Sequence, residues 1–549
     1  MVRVIPPDPA SPVIEHAVGI LARTVRERCG VALEDAGDVT LTLACEPGIG
    51  AEGFRITDAP GGLHIAGDDA RGLVYGIGKL LHDGRYTPGR FTPGPWRGVS
   101  VPEKPVRGIY FASHFHNWYH DAPLEEVERY IEELALWGVN ALSVWFDMHH
   151  YTGLDDPEAQ AMLARLRAML AAAKRIGMGT GLTTLANEAY RSSPEALRAE
   201  WRAGQHGYHT APGGHYHVEI CPSKPGGTDL ILRWAEERLA AFADIGIDYY
   251  WIWPYDQGGC TCAACAPWGV NGFLRIAEPL ARMYKRAVPR GNVLLSTWYF
   301  DLFTDGEWEG LQRAFTTPPD WVDYLIVENL GAKCDHDFAA GMPGGFPAVG
   351  FPEISMHAND PWGAYGALTF PGHLQQLWDR NGAFLAGGFP YSEGIFEDLH
   401  KVIMAQLYWD PARPAAAITR DYFADACGPD VADELAAITA ELERALPHWL
   451  KTDGGVPRVE GGDLTGAAAT LARVRAVEAA LSAWARASWR WRIVALRAAI
   501  DAGLAESGGV ITPALEDAFR QLVAIYHAEH ASRWVSPPTR EAIAANREP

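Results

Sequence analysis

Acidic side chains recur in this sequence at one kind of place, the end of an apolar run. The clearest case is Asp248 to Cys265, DYYWIWPYDQGGCTCAAC, where an aromatic stretch stops at Asp256 and Gln257 and opens into glycines and cysteines. A β-rich run that halts at a carboxylate and a Gly-containing loop reads as the C-terminal end of a parallel strand. Other runs end at His114, His116, Asn117 and Trp118; at Asp147, His149 and His150; and at Asn187 and Glu188. Later ones end at Trp298 and Asp301, at Glu328 and Asn329, at Glu353, and at Tyr391 and Glu393. Carboxylates gathered with Trp, Tyr and His, without a Gly-rich phosphate loop or a Lys/Arg clamp, suit hydrolysis of sugars better than phosphoryl or hydride transfer. That chemistry needs a pair: one carboxylic acid kept protonated for the leaving oxygen, and one ionised carboxylate that activates water or attacks the anomeric carbon.

Asp256 is the expected acid, because it leaves a dry, aromatic strand. Its partner is Glu353 or Glu328, with Glu353 preferred because Pro352 fixes the chain just before it and a Trp-containing loop follows. Gln257, His114, His116, Trp118, His149, Trp298, Asp301 and Tyr391 are the expected sugar contacts, and Trp145, Trp253 and Trp362 are further stacking candidates. The bland alternative for any strand-end carboxylate is a helix cap, and for any tryptophan a place in the core.

The elements that must position these residues alternate. From Arg107 onward, strand-like runs are expected at Gly108 to Ser113, Ala141 to Phe146, Gly179 to Leu185, Tyr249 to Tyr255, Val293 to Tyr299, Tyr324 to Val327, Ala348 to Phe351 and Ala383 to Phe389. Helical periodicity fills the intervals, as at Leu124 to Gly138, Pro157 to Gly177, Thr228 to Gly246, Gly272 to Val288 and His373 to Arg380. Eight strands alternating with helices give an α/β fold of (β/α)8 TIM-barrel type, with a doubly wound sheet as the alternative. Before the barrel, a helix at Val13 to Cys29, a hairpin from Gly53 to Gly67 and an acid-capped helix from Asp68 to His82 predict a small α/β domain over residues 1–100. The barrel is expected over 101–412. A helical domain follows over 413–549, with one long helical pattern from Leu464 to Gly503.

A resemblance enters at GDDARGLVYGIGKLL and the Pro-rich link TPGRFTPGPWRGVSVPEKPVRGIYF, which are similar to the domain preceding the barrel in β-N-acetylhexosaminidases and α-glucuronidases. In the hexosaminidases an Asp-Glu pair ends strand four, and the matching positions here are Asp256 and Gln257; a glutamine cannot protonate a leaving group. Inverting α-glucuronidases resemble the chain more closely in layout, with an acid after strand four and two later carboxylates, implying Asp256, Glu328 and Glu353. The run GAFLAGGFPYSEGIFEDLHK resembles the hexosaminidase strand whose Glu grips sugar hydroxyls, which implies that Glu393 binds substrate; the alternative is a helix cap at Ser392 and Glu393.

Composition bounds the rest. A formal charge of −21 argues against nucleic acid or an anionic membrane as partner, and 20 Trp with 20 Tyr suits a ring-bearing ligand. The first residues lack a signal-peptide pattern and no run reaches membrane-span length, so a cytoplasmic location is expected. Eight cysteines fit a reducing compartment better than a disulfide scaffold. No cofactor is expected: Cys260, Cys262 and Cys265 could hold a structural zinc with a fourth ligand such as Cys221 or Cys334, but the second half of a paired CxxC knuckle is missing and the spacing is not a standard one, so free or packed thiols are expected. The expected activity is exo-acting hydrolysis of a terminal hexosaminide or uronide from small oligosaccharides, by the inverting route, with homo-oligomers left open. A metal-dependent barrel hydrolase or lyase using the histidine pairs, and a catalytically inactive sugar-binding protein, are the alternatives.

Overall fold

The computed structural model describes residues 2–34, 37–114, 117–211, 218–255, 258–327, 338, 341–355, 370–446, 449–451 and 458–527. Eight parallel strands close into a barrel: Val106–Phe111, Ala141–Trp145, Gly179–Leu185, Tyr249–Trp253, Asn292–Ser296, Tyr324–Val327, Ala348–Gly350 and Leu385–Gly388. Each lies within a few residues of the run expected from sequence. The eighth strand pairs back onto the first, Gly388 with Arg107, and resumes beyond Pro390 as Tyr391–Ser392, pairing Tyr391 with Tyr110 at the same offset. Pro390 supplies no N–H, which accounts for the interruption, yet its carbonyl still accepts from Tyr110 N–H at 3.0 Å. Gly387 makes this seam possible: φ is +129°, and a Cβ there would sit 1.6 Å from the Val106 carbonyl oxygen.

The strands are buried almost throughout, as covered parallel strands must be, with Tyr249, Asn292, Tyr324 and Ala386 half-buried. Their inward residues pack the lumen with rings: Tyr110, Trp145, Trp251, Trp253, Trp298, Phe351, Phe389 and Tyr391. Outward residues meet the helices, among them Leu124–Leu136, Pro157–Arg175, Gly227–Ala240, Phe273–Ala287, Pro371–Asn381 and Asp398–Trp409.

Upstream, a five-stranded sheet runs in the order Val2–Ile5, Val39–Cys45, Gly62–Gly67, Phe54–Ala59, Gly98–Ser100. The expected hairpin is its antiparallel pair, joined through Pro60 and Gly61, the latter at φ +73°. Asp69 caps the helix Ala70–His82 by accepting from Gly72 N–H at 2.8 Å, while the neighbouring Asp68 closes the loop at Gly48 to Gly50. Glu52 carries this domain onto the foot of the barrel through the buried Arg107, and within its own domain it pairs with Arg71 of the helix Ala70–His82 at 2.8 Å.

After the barrel come the helices Ala415–Cys427, Ala432–Arg444, Ala467–Ala480, Ala483–Ala487, Trp489–Ser507 and Pro513–Ile525. The helical periodicity expected from Leu464 to Gly503 is carried by three of these helices. Ser482 and Ser488 each turn their hydroxyl onto a following backbone N–H and start a new helix. An antiparallel pair, Trp449–Lys451 with Arg458–Glu460, also interrupts the helices. Arg490 fastens this region to the barrel, reaching Asp398 at 2.7 Å and Glu133 at 2.6 Å. Among the described residues no helix is long and apolar enough to cross a membrane.

Candidate active site

The barrel mouth is built by the alternation of the strands. Phe351 faces the lumen, so Glu353 two residues on shares its side; Phe389 and Tyr391 face it, so Glu393 does too. Trp145 leads in the same way to Asp147, and Tyr110 to His114. Glu353 also forms a parallel bridge with Tyr391, which sets it beside the eighth strand. The carboxylates of Glu353 and Glu393 therefore belong to one wall.

Glu393 is 2% exposed. One oxygen accepts from the Tyr391 hydroxyl at 2.6 Å, and its other oxygen, Oε2, has no hydrogen-bond partner among the described residues. Burial pushes its pKa up to about 8; the Tyr391 hydrogen bond opposes this, while the charges of Glu397 and Glu353 add to it. At neutral pH the group is a neutral carboxylic acid. The backbone beneath it is held from three directions. Glu397 accepts from Ser392 Oγ at 2.7 Å and from the N–H groups of Glu393 and Gly394 at 2.6 and 2.8 Å; Lys401 donates to the Gly394 carbonyl; Tyr526 donates to the Glu393 carbonyl at 2.6 Å. The turn is thus closed by Glu397, and the alternative of a cap at Ser392 and Glu393 does not describe it.

His114 pairs through Nδ1 with the Tyr110 hydroxyl at 2.8 Å and lies 4.5 Å, centre to centre, from the Trp145 ring. Burial, followed by the charges of His120 and His150, holds its pKa well below the ordinary value, so the ring is neutral. Asp147 is buried, and its pKa is raised to about 7 by burial, against the hydrogen bond from His150. His150 lies 3.0 Å from it; burial alone would lower the His150 pKa, but the Asp147 contact outweighs that and raises it. Asp147, His149 and His150 bring donor atoms within 4.8 Å of one another, a set that can hold a metal ion.

The other expected contacts divide. Trp298 lies in the lumen, against Trp253 at 5.1 Å and edge-on to Phe351 at 5.3 Å. His149 is buried beside His150, their rings 3.8 Å apart. Trp118 is a correction: it packs in the outer core, edge-on to Tyr130 at 5.4 Å, instead of lining the lumen. Asp301 is another, since both of its oxygens accept from the N–H groups that open the helix Glu307–Ala314, at 2.6 and 3.2 Å. Glu188 is occupied structurally, pairing with the buried Arg238 at 2.8 Å and accepting from Met148 N–H at 2.5 Å. Asp256, Gln257, Glu328, His116 and Trp362 lie outside the described residues.

Glu397, Lys401, Glu307 and Tyr526 were not singled out in the sequence. Glu307 is the nearest to a recognisable signal, an acid opening a helix; it accepts from Tyr255 OH at 2.6 Å, and burial pushes it up to about 8. Tyr526 is far from Glu393 along the chain and gives no local signal. Away from the mouth, at the opposite barrel end, a cleft of about 840 Å³ lies between the N-terminal domain and Trp137, Trp409 and Arg413. It contains none of the residues expected to act on substrate.

No protein-family model matches the chain, and no curated protein matches it. Solved structures do. It is similar to a family GH115 4-O-methyl-α-glucuronidase with specificity for decorated arabinogalactans: 13% identity, 97% of this chain and 77% of that one, TM-score 0.63. It is similar to a family GH138 enzyme targeting pectin rhamnogalacturonan II: 10% identity, 96% and 72% covered, TM-score 0.59. It is also similar to the family GH20 β-N-acetylhexosaminidase of Streptomyces coelicolor A3(2): 16% identity, 79% and 91% covered, TM-score 0.53. At these identities the likeness is one of fold: the chain shares the barrel architecture of these three structures, and the likeness extends over nearly its whole length for the first two.

Proposed function

We propose that this protein is a glycoside hydrolase that releases a terminal sugar, of uronide or hexosaminide type, from small oligosaccharides at the C-terminal mouth of its barrel. The observation that carries the reading is Glu393, a buried carboxyl held neutral up to about pH 8 on the same wall as Glu353. A protonated acid beside a second carboxylate is what departure of a glycosidic oxygen requires. Glu393 then donates the proton, moving it from the sugar-gripping role implied by resemblance, and Glu353 is its ionised partner. Asp256 is the rival donor, with Glu328 completing the set. Tyr391, His114 and Trp298 position the sugar, with His149 beside them; Gln257 and His116 remain expected contacts from the sequence.

The test is release of nitrophenol from a panel of α- and β-linked nitrophenyl glycosides, including glucuronides and N-acetylhexosaminides. Wild type is compared with Glu393→Gln, Glu353→Gln and Asp256→Asn. Loss of a general acid costs about 10²–10⁴ in rate, and less as the leaving group improves. A dinitrophenyl glycoside should therefore recover much of the activity of the variant lacking the true acid and little of the others. Full turnover by both Glu393→Gln and Glu353→Gln would remove the proposal. A second reading, a metal-dependent barrel hydrolase, rests on the Asp147, His149 and His150 cluster. It requires that Asp147→Asn abolish turnover and that added divalent ions restore chelated wild type.

A further inference from the structure

The cysteine-rich turn after strand four has a partner that spacing alone leaves undecided. Cys260, Cys262 and Cys265 lie in that turn, and Cys221 lies in the long loop after strand three. The structure brings all four sulfurs within 4.8 Å of one another. Cys221 Sγ is 3.8 Å from Cys262 Sγ and 3.8 Å from Cys265 Sγ. A disulfide requires about 2.05 Å, so these are four separate thiols. Four sulfurs placed tetrahedrally at ~2.3 Å from a zinc ion lie ~3.8 Å from one another.

The surroundings suit thiolates. Glu200 N–H donates to Cys260 Sγ at 3.4 Å, and Ser223 Oγ lies 2.9 Å from Cys221 Sγ and 3.5 Å from both Cys262 and Cys265. Thiols packed only as small hydrophobes would have no reason to converge on one hydroxyl and one amide. Strand three also prepares the site. Asn187 donates to the carbonyls of Ile220 and Gly259, at 3.0 and 2.9 Å, and accepts from Gly259 N–H at 3.1 Å. Ile220 and Gly259 are the residues immediately before Cys221 and Cys260, so one amide aligns both arms of the cluster.

We propose that Cys221, Cys260, Cys262 and Cys265 form a four-thiolate site for a structural zinc ion that fastens the loop after strand three to the loop after strand four. With four protein ligands no position is left open for water or substrate, so the ion is structural. Each thiol that ligates releases its proton to solvent, and no oxidation is involved. In sequence the second arm of the clamp begins three residues after Gln257. The fourth ligand is Cys221; the other candidate, Cys334, lies outside the described residues.

The experiment is elemental analysis of the full chain purified from zinc-supplemented medium, beside Cys221→Ser and Cys427→Ser. The expected result is about one zinc per wild-type chain, loss in Cys221→Ser, and full retention in Cys427→Ser, whose thiol is buried at the end of the helix Ala415–Cys427. Because Cys221→Ser could fail to fold, wild type is also titrated with an organomercurial in the presence of a chromogenic chelator. Zinc release that tracks modification of four thiols supports the site. Wild type free of zinc, zinc retained in full by folded Cys221→Ser, release unrelated to thiol modification, or iron in place of zinc would each overturn it. None of these readouts uses glycosidase activity, so the site stands or falls apart from the proposed reaction.

Discussion

Glu393 ties the proposed chemistry to a measurable cost in stability. Its pKa is about 8 in the folded chain against an ordinary 4.5, so between those values the folded state holds a proton that the unfolded chain has released. The stability linked to that proton is complete below the unfolded value and is lost as pH rises through the folded one. Melting temperature should therefore fall from pH 5 to pH 8.5, and Glu393→Gln should flatten that fall; equal slopes in the two proteins would contradict the assigned burial. The sequence marks Glu353 and Glu393 because each ends an apolar run at the parity of its inward residues. The same rule misreads Asp301, whose oxygens close a helix N-terminus: an acid at a strand end serves a substrate or the next helix, and residue type does not say which. Cys221 is a similar case from the other side, since a lone cysteine in a long loop acquires meaning only when folding carries it to Cys260, Cys262 and Cys265.

At the scale of elements, the eight strands are legible because buried parallel strands are short, nearly continuous apolar runs bounded by polar loops, and helices fill the gaps at their own period. What periodicity cannot show is where a long helical pattern breaks. Leu464 to Gly503 keeps helical spacing throughout, yet the hydroxyls of Ser482 and Ser488 accept from Ala485 and Arg490 N–H and cut it twice. Nor does a pattern reveal how the barrel closes. The seam needs the carbonyl of Val106 to approach Gly387 closer than any Cβ allows. Gly387→Ala should destabilise the fold by at least about 3 kcal/mol, since it combines backbone strain with a clash against a fixed carbonyl. Gly61→Ala, in the exposed turn of the upstream hairpin, meets no neighbouring atom and should cost less, with strain alone to bear. Urea midpoints of the two variants, measured side by side, test the difference.

For the molecule as a whole, the C-terminal helices form part of the mouth. Arg490 bridges Asp398 and Glu133, and Tyr422 and Tyr130 both donate to Asp398 at 2.8 Å, which joins the last barrel helix to the domain beyond it. Tyr526 reaches further, to the carbonyl of Glu393. Tyr526→Phe leaves that buried carbonyl without its donor, a loss of about 1–3 kcal/mol. If the proposed function holds, it should lower kcat on a cleaved nitrophenyl glycoside more than it raises KM, because it disturbs the placement of Glu393 and leaves the proposed sugar contacts in place. An unchanged kcat would confine Tyr526 to a structural role. The contact also imposes an order on synthesis. Glu393 is translated long before Tyr526, so the barrel strands can be complete on the ribosome while Glu393 still lacks one of the groups that fix its backbone. The full support of Glu393 then waits for the helix Pro513–Ile525 to emerge and dock, and a product shortened before Tyr526 would contain every barrel strand and still lack a finished mouth.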